Sequence, residues 1–123
     1  MTAPAITVRR LSTATRDDYL AFFDHERGPA FSDNAQWARC YCQFYRIPRA
    51  LDWEAFTAAQ NRVAASASIC AGEAEGYLAR AGGATVGWLH AAPRHKLPHC
   101  FERLGVEPTP IDVPPLAAAV IVC

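Results

Sequence analysis

Cysteine and histidine are the side chains in this sequence with the chemistry to bind a metal or to act as a nucleophile and its base. Those able to share one metal are Cys40, Cys42, Cys70, His25 and the group His95, His99 and Cys100. A structural zinc ion needs four converging ligands, and Pro98 disfavours a helix that presents both neighbouring histidines. Because the spacing matches no standard zinc pattern, we expect no metal site and interpret the thiols as small buried side chains.

His90 stands apart from these groups, on a predicted strand and on the face of that strand shared by Val86 and Trp88. An imidazole titrates near neutral pH, so a histidine here could accept a proton from a substrate. The alternative is a histidine that is buried and hydrogen-bonded beside an aromatic ring. We favour this alternative. No Ser-His-Asp order, phosphate loop or paired-carboxylate signature accompanies it.

A polar pair, Asn61 and Arg62, lies in the middle of a predicted helix. Asparagine is a mediocre helix former, so its presence there needs a reason. It lines a ligand pocket or bonds to a neighbouring loop, and the residues alone leave both open.

The element that must position His90 is a hairpin over Gly76–Arg94, in which the predicted strands Gly76–Ala81 and Ala84–Ala92 are joined by Gly82 and Gly83 as the two-residue turn. That loop length places Ala79 opposite Val86 and Tyr77 opposite Trp88, with these four on one face and Leu78 and Leu89 on the other. Both faces are then apolar, as in the middle of a sheet covered on each side. Gly87 indicates a bulge or a close backbone approach, and Pro93 should end the strand.

The remaining pattern predicts two more strands and three helical segments. The strands are Ile6–Leu11 and Leu116–Val122, the second within a continuous apolar run that is typical of a central strand. The helices are one that Thr15 caps and Gly28-Pro29 ends, one over Trp53–Ala71 that Asp52 caps, and a short turn near His99–Leu104. The apolar side of the long helix is predicted at Trp53, Phe56, Val63 and Ile69. Aromatic enrichment favours a strand over Cys40–Tyr45, although a helical period also fits.

Length predicts one domain over residues 1–123, and the order of the strands and helices above makes it an α/β (α+β) domain with a mixed, mostly antiparallel sheet and flanking helices. The formal net charge is zero, which argues against a protein that binds nucleic acid or a membrane surface through bulk charge. No apolar run approaches the ~20 residues of a membrane span, and the N-terminus lacks a signal pattern. We therefore expect a cytoplasmic protein whose five cysteines are reduced.

Three patterns follow one another along the chain. They are Trp-x-x-Cys-x-Cys-x-Phe-Tyr at Trp37–Tyr45, the pair Asn61 and Arg62, and Gly-Tyr-Leu-Ala…Gly-Gly…Val-Gly-Trp running into Ala-Ala-Pro-Arg at Gly76–Arg94. Together, over Ile6–Cys123, they resemble the N-terminal half of the GNAT superfamily, the acyl-CoA-dependent N-acetyltransferases. The resemblance implies transfer of an acetyl group from acetyl-CoA to a small-molecule or peptide amine.

The resemblance also implies where substrates bind. Residues near the acceptor amine would be Asn61, Trp88 and His90, and the strand residues Val120, Ile121 and Val122 would contact the pantetheine arm of acetyl-CoA. It assigns no catalytic residue.

In the family, a glycine-rich loop at a helix N-terminus follows this last strand and holds the CoA pyrophosphate. The sequence ends at Cys123, before such a motif, so we expect a C-terminally truncated domain that is inactive alone and binds acetyl-CoA weakly. The alternative is a non-enzymatic binding or interaction module that retains the first half of the fold. In either case the apolar C-terminal strand is a candidate for self-association.

Overall fold

The computed structural model describes residues 5–24, 39–105 and 119–122, the last range through its backbone alone. The described chain holds four strands: β1 (Ile6–Arg10), β2 (Gly76–Ala81), β3 (Ala84–Pro93) and β4 (Ala119–Val122). The same ranges hold three α-helices: α1 (Arg16–Phe23), α2 (Ala58–Cys70) and α3 (Cys100–Leu104). Short 3-10 turns lie at Phe44–Arg46, Trp53–Ala55 and Arg94–Lys96. The chain is therefore a mixed α/β protein.

The four strands form one antiparallel sheet in the order β1-β2-β3-β4. This confirms the prediction that the four segments share a sheet. The prediction of a central strand at the C-terminal end is not met within the described residues, because β4 pairs with β3 and no described strand lies beyond it. An apolar run indicates burial of side chains but does not determine which strand lies at the edge.

The turn between β2 and β3 is the predicted two-residue loop. Gly82 and Gly83 have φ angles of 58° and 80°, a region that side chains other than glycine enter at a cost. Ala81 pairs with Ala84 across this turn, as the loop length requires.

Beyond the turn, the register shifts by one residue between Arg80 and Ala79, so that Ala79 pairs with Gly87 and Leu78 with Trp88. The expected pairs, Ala79 with Val86 and Tyr77 with Trp88, are wrong. The irregularity beside Gly87 is the bulge that the glycine indicated. It places Trp88 on the buried face with Leu78, while Tyr77 lies on the opposite face and is 44% exposed.

Helix α1 begins as predicted after Thr15, with Asp17 and Asp18 in its first turn. The Thr15 hydroxyl does not cap the helix; it accepts a hydrogen bond from the Ser12 amide and donates one to the Arg10 carbonyl. These bonds fix the connection from β1 into α1. The helix ends at Phe23, before the predicted stop at Gly28-Pro29, which lies outside the described residues.

The predicted helix over Trp53–Ala71 is two elements. Asp52 caps only the 3-10 turn Trp53–Ala55, where its side chain accepts a hydrogen bond from the Glu54 amide. Thr57 then starts α2 through a capping box, in which its hydroxyl accepts from the Gln60 amide and the Gln60 side chain accepts from the Thr57 amide.

The buried side of α2 is formed by Asn61, Ala65 and Ile69. The prediction of Val63 on the buried side is wrong, since this side chain is 71% exposed. The polar residue is buried in its place because its amide has a partner, described below.

Helices α1 and α2 contact each other and pack on one face of the sheet. The core between them contains Leu11, Tyr19, Leu20, Phe22, Phe23, Tyr41, Cys42, Ala65, Ile69 and Leu78. A second cluster of Ala92, Leu97 and Cys100 seats α3 beside β3. The prediction of a short helix near His99–Leu104 is confirmed, and Gly105 ends it with a φ of 70°. No helix among the described residues has the length and apolar character needed to span a membrane.

Candidate functional site

The candidate site is built around residues 39–43, which we call the central turn. Tyr41 and Cys42 have φ angles of 47° and 51°, in the left-handed region that bulky side chains seldom adopt. The predicted strand over Cys40–Tyr45 is therefore wrong, and a 3-10 turn follows instead. Side-chain hydrogen bonds hold this backbone, since the Tyr19 hydroxyl and the Gln43 amide both donate to the Tyr41 carbonyl, over 2.5 and 3.1 Å.

Cys42 and His90 meet inside the protein. The Cys42 Sγ lies 3.0 Å from His90 Nδ1, and both residues are 2% exposed. Burial, and to a smaller extent the charge of Arg46, lowers the pKa of His90 to about 4. The imidazole is then neutral at pH 7, and the thiol can donate its proton to Nδ1. This pair is a neutral hydrogen bond, so a buried, partnered histidine is the arrangement found.

Trp88 joins the same group from β3. Its ring lies 5.6 Å from the His90 ring and makes an edge-on contact with Tyr19 at 4.9 Å between ring centroids. Among the buried side-chain nitrogen and oxygen atoms of the described chain, the indole Nε1 of Trp88 is the one without a hydrogen-bond partner. A buried donor with no acceptor is costly, so this nitrogen is suited to a water molecule or a ligand carbonyl.

Asn61 reaches the central turn from α2. Its side-chain amide donates to the Arg39 carbonyl over 2.9 Å, and the residue is 1% exposed. The sequence left two interpretations of Asn61 open, and the structure shows the second of them, a hydrogen bond to a neighbouring loop. The three candidate acceptor residues therefore contact the central turn. Asn61 and His90 bond to it directly, and Trp88 contacts Tyr19, whose hydroxyl donates to the Tyr41 carbonyl.

A chain of polar groups lies on the outer side of this turn. The Tyr41 hydroxyl donates to Asp24 over 2.5 Å, and the Arg62 guanidinium binds both carboxylate oxygens of Asp24, at 2.9 and 3.2 Å. Burial, with the hydrogen bond to Asp24, raises the pKa of Tyr41 to about 12. Arg62 and Asp24 are half exposed, so this chain joins the core to the surface.

The candidate cofactor residues Val120, Ile121 and Val122 lie in β4, opposite Ala92, Ala91 and His90 respectively. Directly paired residues of antiparallel strands have Cα atoms about 5 Å apart. The register therefore places His90 next to the candidate cofactor strand, although the two are far apart in sequence. Within the described residues, no strand pairs with the outer edge of β4.

Among the described residues, no three cysteine, histidine or acidic side chains converge as metal ligands would. Of the groups considered in the sequence, His25 lies outside those residues. Cys70 is exposed, and its thiol accepts a hydrogen bond from the Arg16 guanidinium at 3.4 Å.

Sequence reasoning missed the partner of His90 and the Tyr19–Tyr41 bond. The Cys-x-Cys pattern did single out Cys42, but nothing in it indicates which distant side chain the thiol contacts. No protein-family model, curated protein or solved structure matches this sequence. The functional conclusion therefore depends on the geometry and on the patterns in the chain.

Proposed function

We propose that this chain is the acceptor-side portion of an acyl-CoA-dependent N-acyltransferase with a GNAT-like fold. One observation supports the proposal: His90, a candidate acceptor residue, pairs directly with Val122 of the candidate cofactor strand. An antiparallel β1–β4 sheet with two helices packed on one face is compatible with it.

In the reaction we propose, a neutral amine nitrogen attacks the carbonyl carbon of the acetyl thioester. The carbon–sulfur bond breaks, CoA leaves as the thiolate, and the proton released by the amine neutralises that thiolate through solvent. The chain contributes by positioning, because holding two reactants in register replaces a bimolecular encounter. The edge of β4 would hold the pantetheine amides of acetyl-CoA through its backbone, while Trp88 and His90 border the amine.

His90 is a poor candidate for the base in this reaction. A group with a pKa of about 4 holds little affinity for a proton at neutral pH. The role that suits it is to order the wall of the amine pocket through Cys42 and Trp88. We assign no catalytic residue.

A titration of the isotopically labelled 123-residue chain with acetyl-CoA, followed by amide chemical shifts, tests the proposal. The largest shifts should occur at residues 119–122, with smaller ones at His90. Pantetheine alone should reproduce them, whereas adenosine 3′,5′-bisphosphate, which lacks the amide-bearing arm, should not. No shift at β4 with millimolar acetyl-CoA would contradict the proposal.

A non-enzymatic binding module is the second candidate function, and one observation favours it. Asn61 and His90 are almost fully buried, and both side chains already bond within the protein. If the chain unfolds cooperatively but acetyl-CoA shifts no amide of β4, the module is the better conclusion. We propose the cytoplasm as its location, since an odd number of cysteines, five, suits reduced thiols better than a full set of disulfides.

A further inference from the structure

The sheet face opposite the two helices carries a group of exposed apolar side chains. Ile6 and Val8 of β1 are 67% and 66% exposed, and Tyr77 of β2 and Leu89 of β3 are 44% and 41% exposed. The strand register places all four on one side, because directly paired residues point the same way. We call these four residues and the small residues between them the open face.

Large and small residues are segregated on the open face. The small ones are Ala79, Ala81, Ala84 and Gly87, which the register places on β2 and β3 beside the two large β1 side chains. The face is therefore raised along β1 and low over Ala79, Ala81 and Ala84, while Val86, the residue that the bulge inserts before Gly87, is 51% exposed on the β3 side of this low area. Tyr77 and Leu89, which pair with each other, close the low area at one end.

This relief is complementary to itself. A two-fold axis parallel to the strands would place β1 of one copy over β3 of another, so Ile6 and Val8 would enter the low area of the partner. An isologous contact of this kind uses the same patch twice and closes after two copies. Two sheets packed in this way are about 10 Å apart, as in a sandwich.

The charges on this face also allow the contact. Arg10 is the charged residue that the register adds to this side, at the end near Tyr77. Its guanidinium lies 3.3 Å from the carboxylate of Glu75, so it enters a dimer rim already paired. Among the described residues of the open face, no charge occupies the centre, where burial without a partner would be costly.

The area is at the lower limit for a specific dimer. A face three to four strands wide offers on the order of 500 Å² per copy, or about 1,000 Å² in total. Contacts of this size are weak, so we expect association that is reversible with concentration. We propose that two copies of this chain associate reversibly through their open faces, in contrast to edge pairing by the C-terminal strand.

Sedimentation velocity between 5 and 200 μM tests the proposal with the full 123-residue chain. The wild-type protein should shift from monomer to dimer across this range and form nothing larger. Val8→Lys should remain monomeric throughout. Its matched control is Val63→Lys, the same change at a side chain of α2 that is 71% exposed, and this variant should dimerise like the wild type.

A second variant distinguishes association through shape complementarity from non-specific hydrophobic association. Ala79→Leu adds apolar surface but fills the low area, so it should weaken the dimer at least tenfold. Urea unfolding of each variant checks that it is folded. The proposal is overturned by a wild-type monomer at 200 μM, by open-ended oligomers as edge pairing would give, by stronger association of Ala79→Leu, or by equal effects of the two lysine variants. If Val8→Lys does not fold, the Ala79→Leu result decides.

Discussion

Lowering the pH from 7 to 4 should reduce the free energy of unfolding through a single buried side chain, His90. Burial and the nearby charge of Arg46 lower its folded pKa from 6.5 to about 4. Between pH 6.5 and pH 4, His90 binds a proton in the unfolded chain but stays neutral in the folded chain. Stability is therefore lost as the pH falls from 6.5 to 4, and no further loss from this group follows below 4.

The magnitude follows from the size of the pKa shift. Each unit of difference between the folded and unfolded pKa corresponds to about 1.4 kcal/mol, so His90 should contribute about 3 kcal/mol across this window. A small domain is stable by only ~5–15 kcal/mol, so the effect is a large fraction of the total. The carboxyl of Glu102 acts in a lower range. The backbone amide of Arg49 lowers its pKa from 4.5, so its contribution is lost only below that value.

Urea unfolding at half-unit steps of pH, in the wild type and in His90→Gln, measures this contribution. The variant loses the bond to Cys42 and should be less stable at pH 7, but its stability should fall much less between pH 6.5 and 4.5. Because the carboxylates titrate alike in both proteins, the difference between the two curves isolates His90. His95→Gln, a change at an exposed histidine, is the control and should follow the wild-type curve. The reasoning is refuted if His90→Gln keeps the wild-type slope, or if the imidazole of folded His90 titrates near 6.5 by NMR.

Three further changes test the packing that positions the site. Gly76→Ala should lower the free energy of unfolding by about 3 kcal/mol, because a Cβ there would lie 2.3 Å from a backbone oxygen of the neighbouring strand. Gly87→Ala is the control: its Cβ would have its nearest contact at 3.5 Å, so the urea midpoint should change little. Thr57→Ala removes the capping box of α2 and should cost about 1 kcal/mol by chemical denaturation, with a loss of helical circular dichroism. Arg103→Lys should destabilise the chain by about 1–2 kcal/mol and increase amide exchange over residues 47–51, since the guanidinium donates to three carbonyl groups there; unchanged exchange would contradict this role.

The sequence by itself determined those features that depend on a few neighbouring residues. Gly82 and Gly83 specify the hairpin turn because their φ angles are positive, and Gly105 ends α3 for the same reason. The apolar positions of α1 follow from its helical period, since one side of a short surface helix must face the core. The positions of β2 and β3 in the chain were predicted within one residue.

The tertiary structure decided what depends on partners far away in sequence. A one-residue bulge pairs Tyr77 with Leu89 instead of Trp88 and places Trp88 on the face that the helices cover, where it is half-buried. Local propensity carries no information on which residues pair across two strands. The β-prone segment around Tyr41 became a turn because Tyr19, on α1, donates to its carbonyl. Asn61 is buried because its side-chain amide donates to the Arg39 carbonyl. Val63 is exposed because two residues correspond to about 200° around the helix, which places it on the opposite side from Asn61.

The contact between Cys42 and His90 joins residues 48 positions apart. No periodicity or local motif encodes such a pair, because the free energy that forms it comes from the packing of the whole core around both side chains. The types of the candidate site residues were thus readable from the chain. Their burial, their partners and the low pKa of His90 arose only when the fold removed them from water.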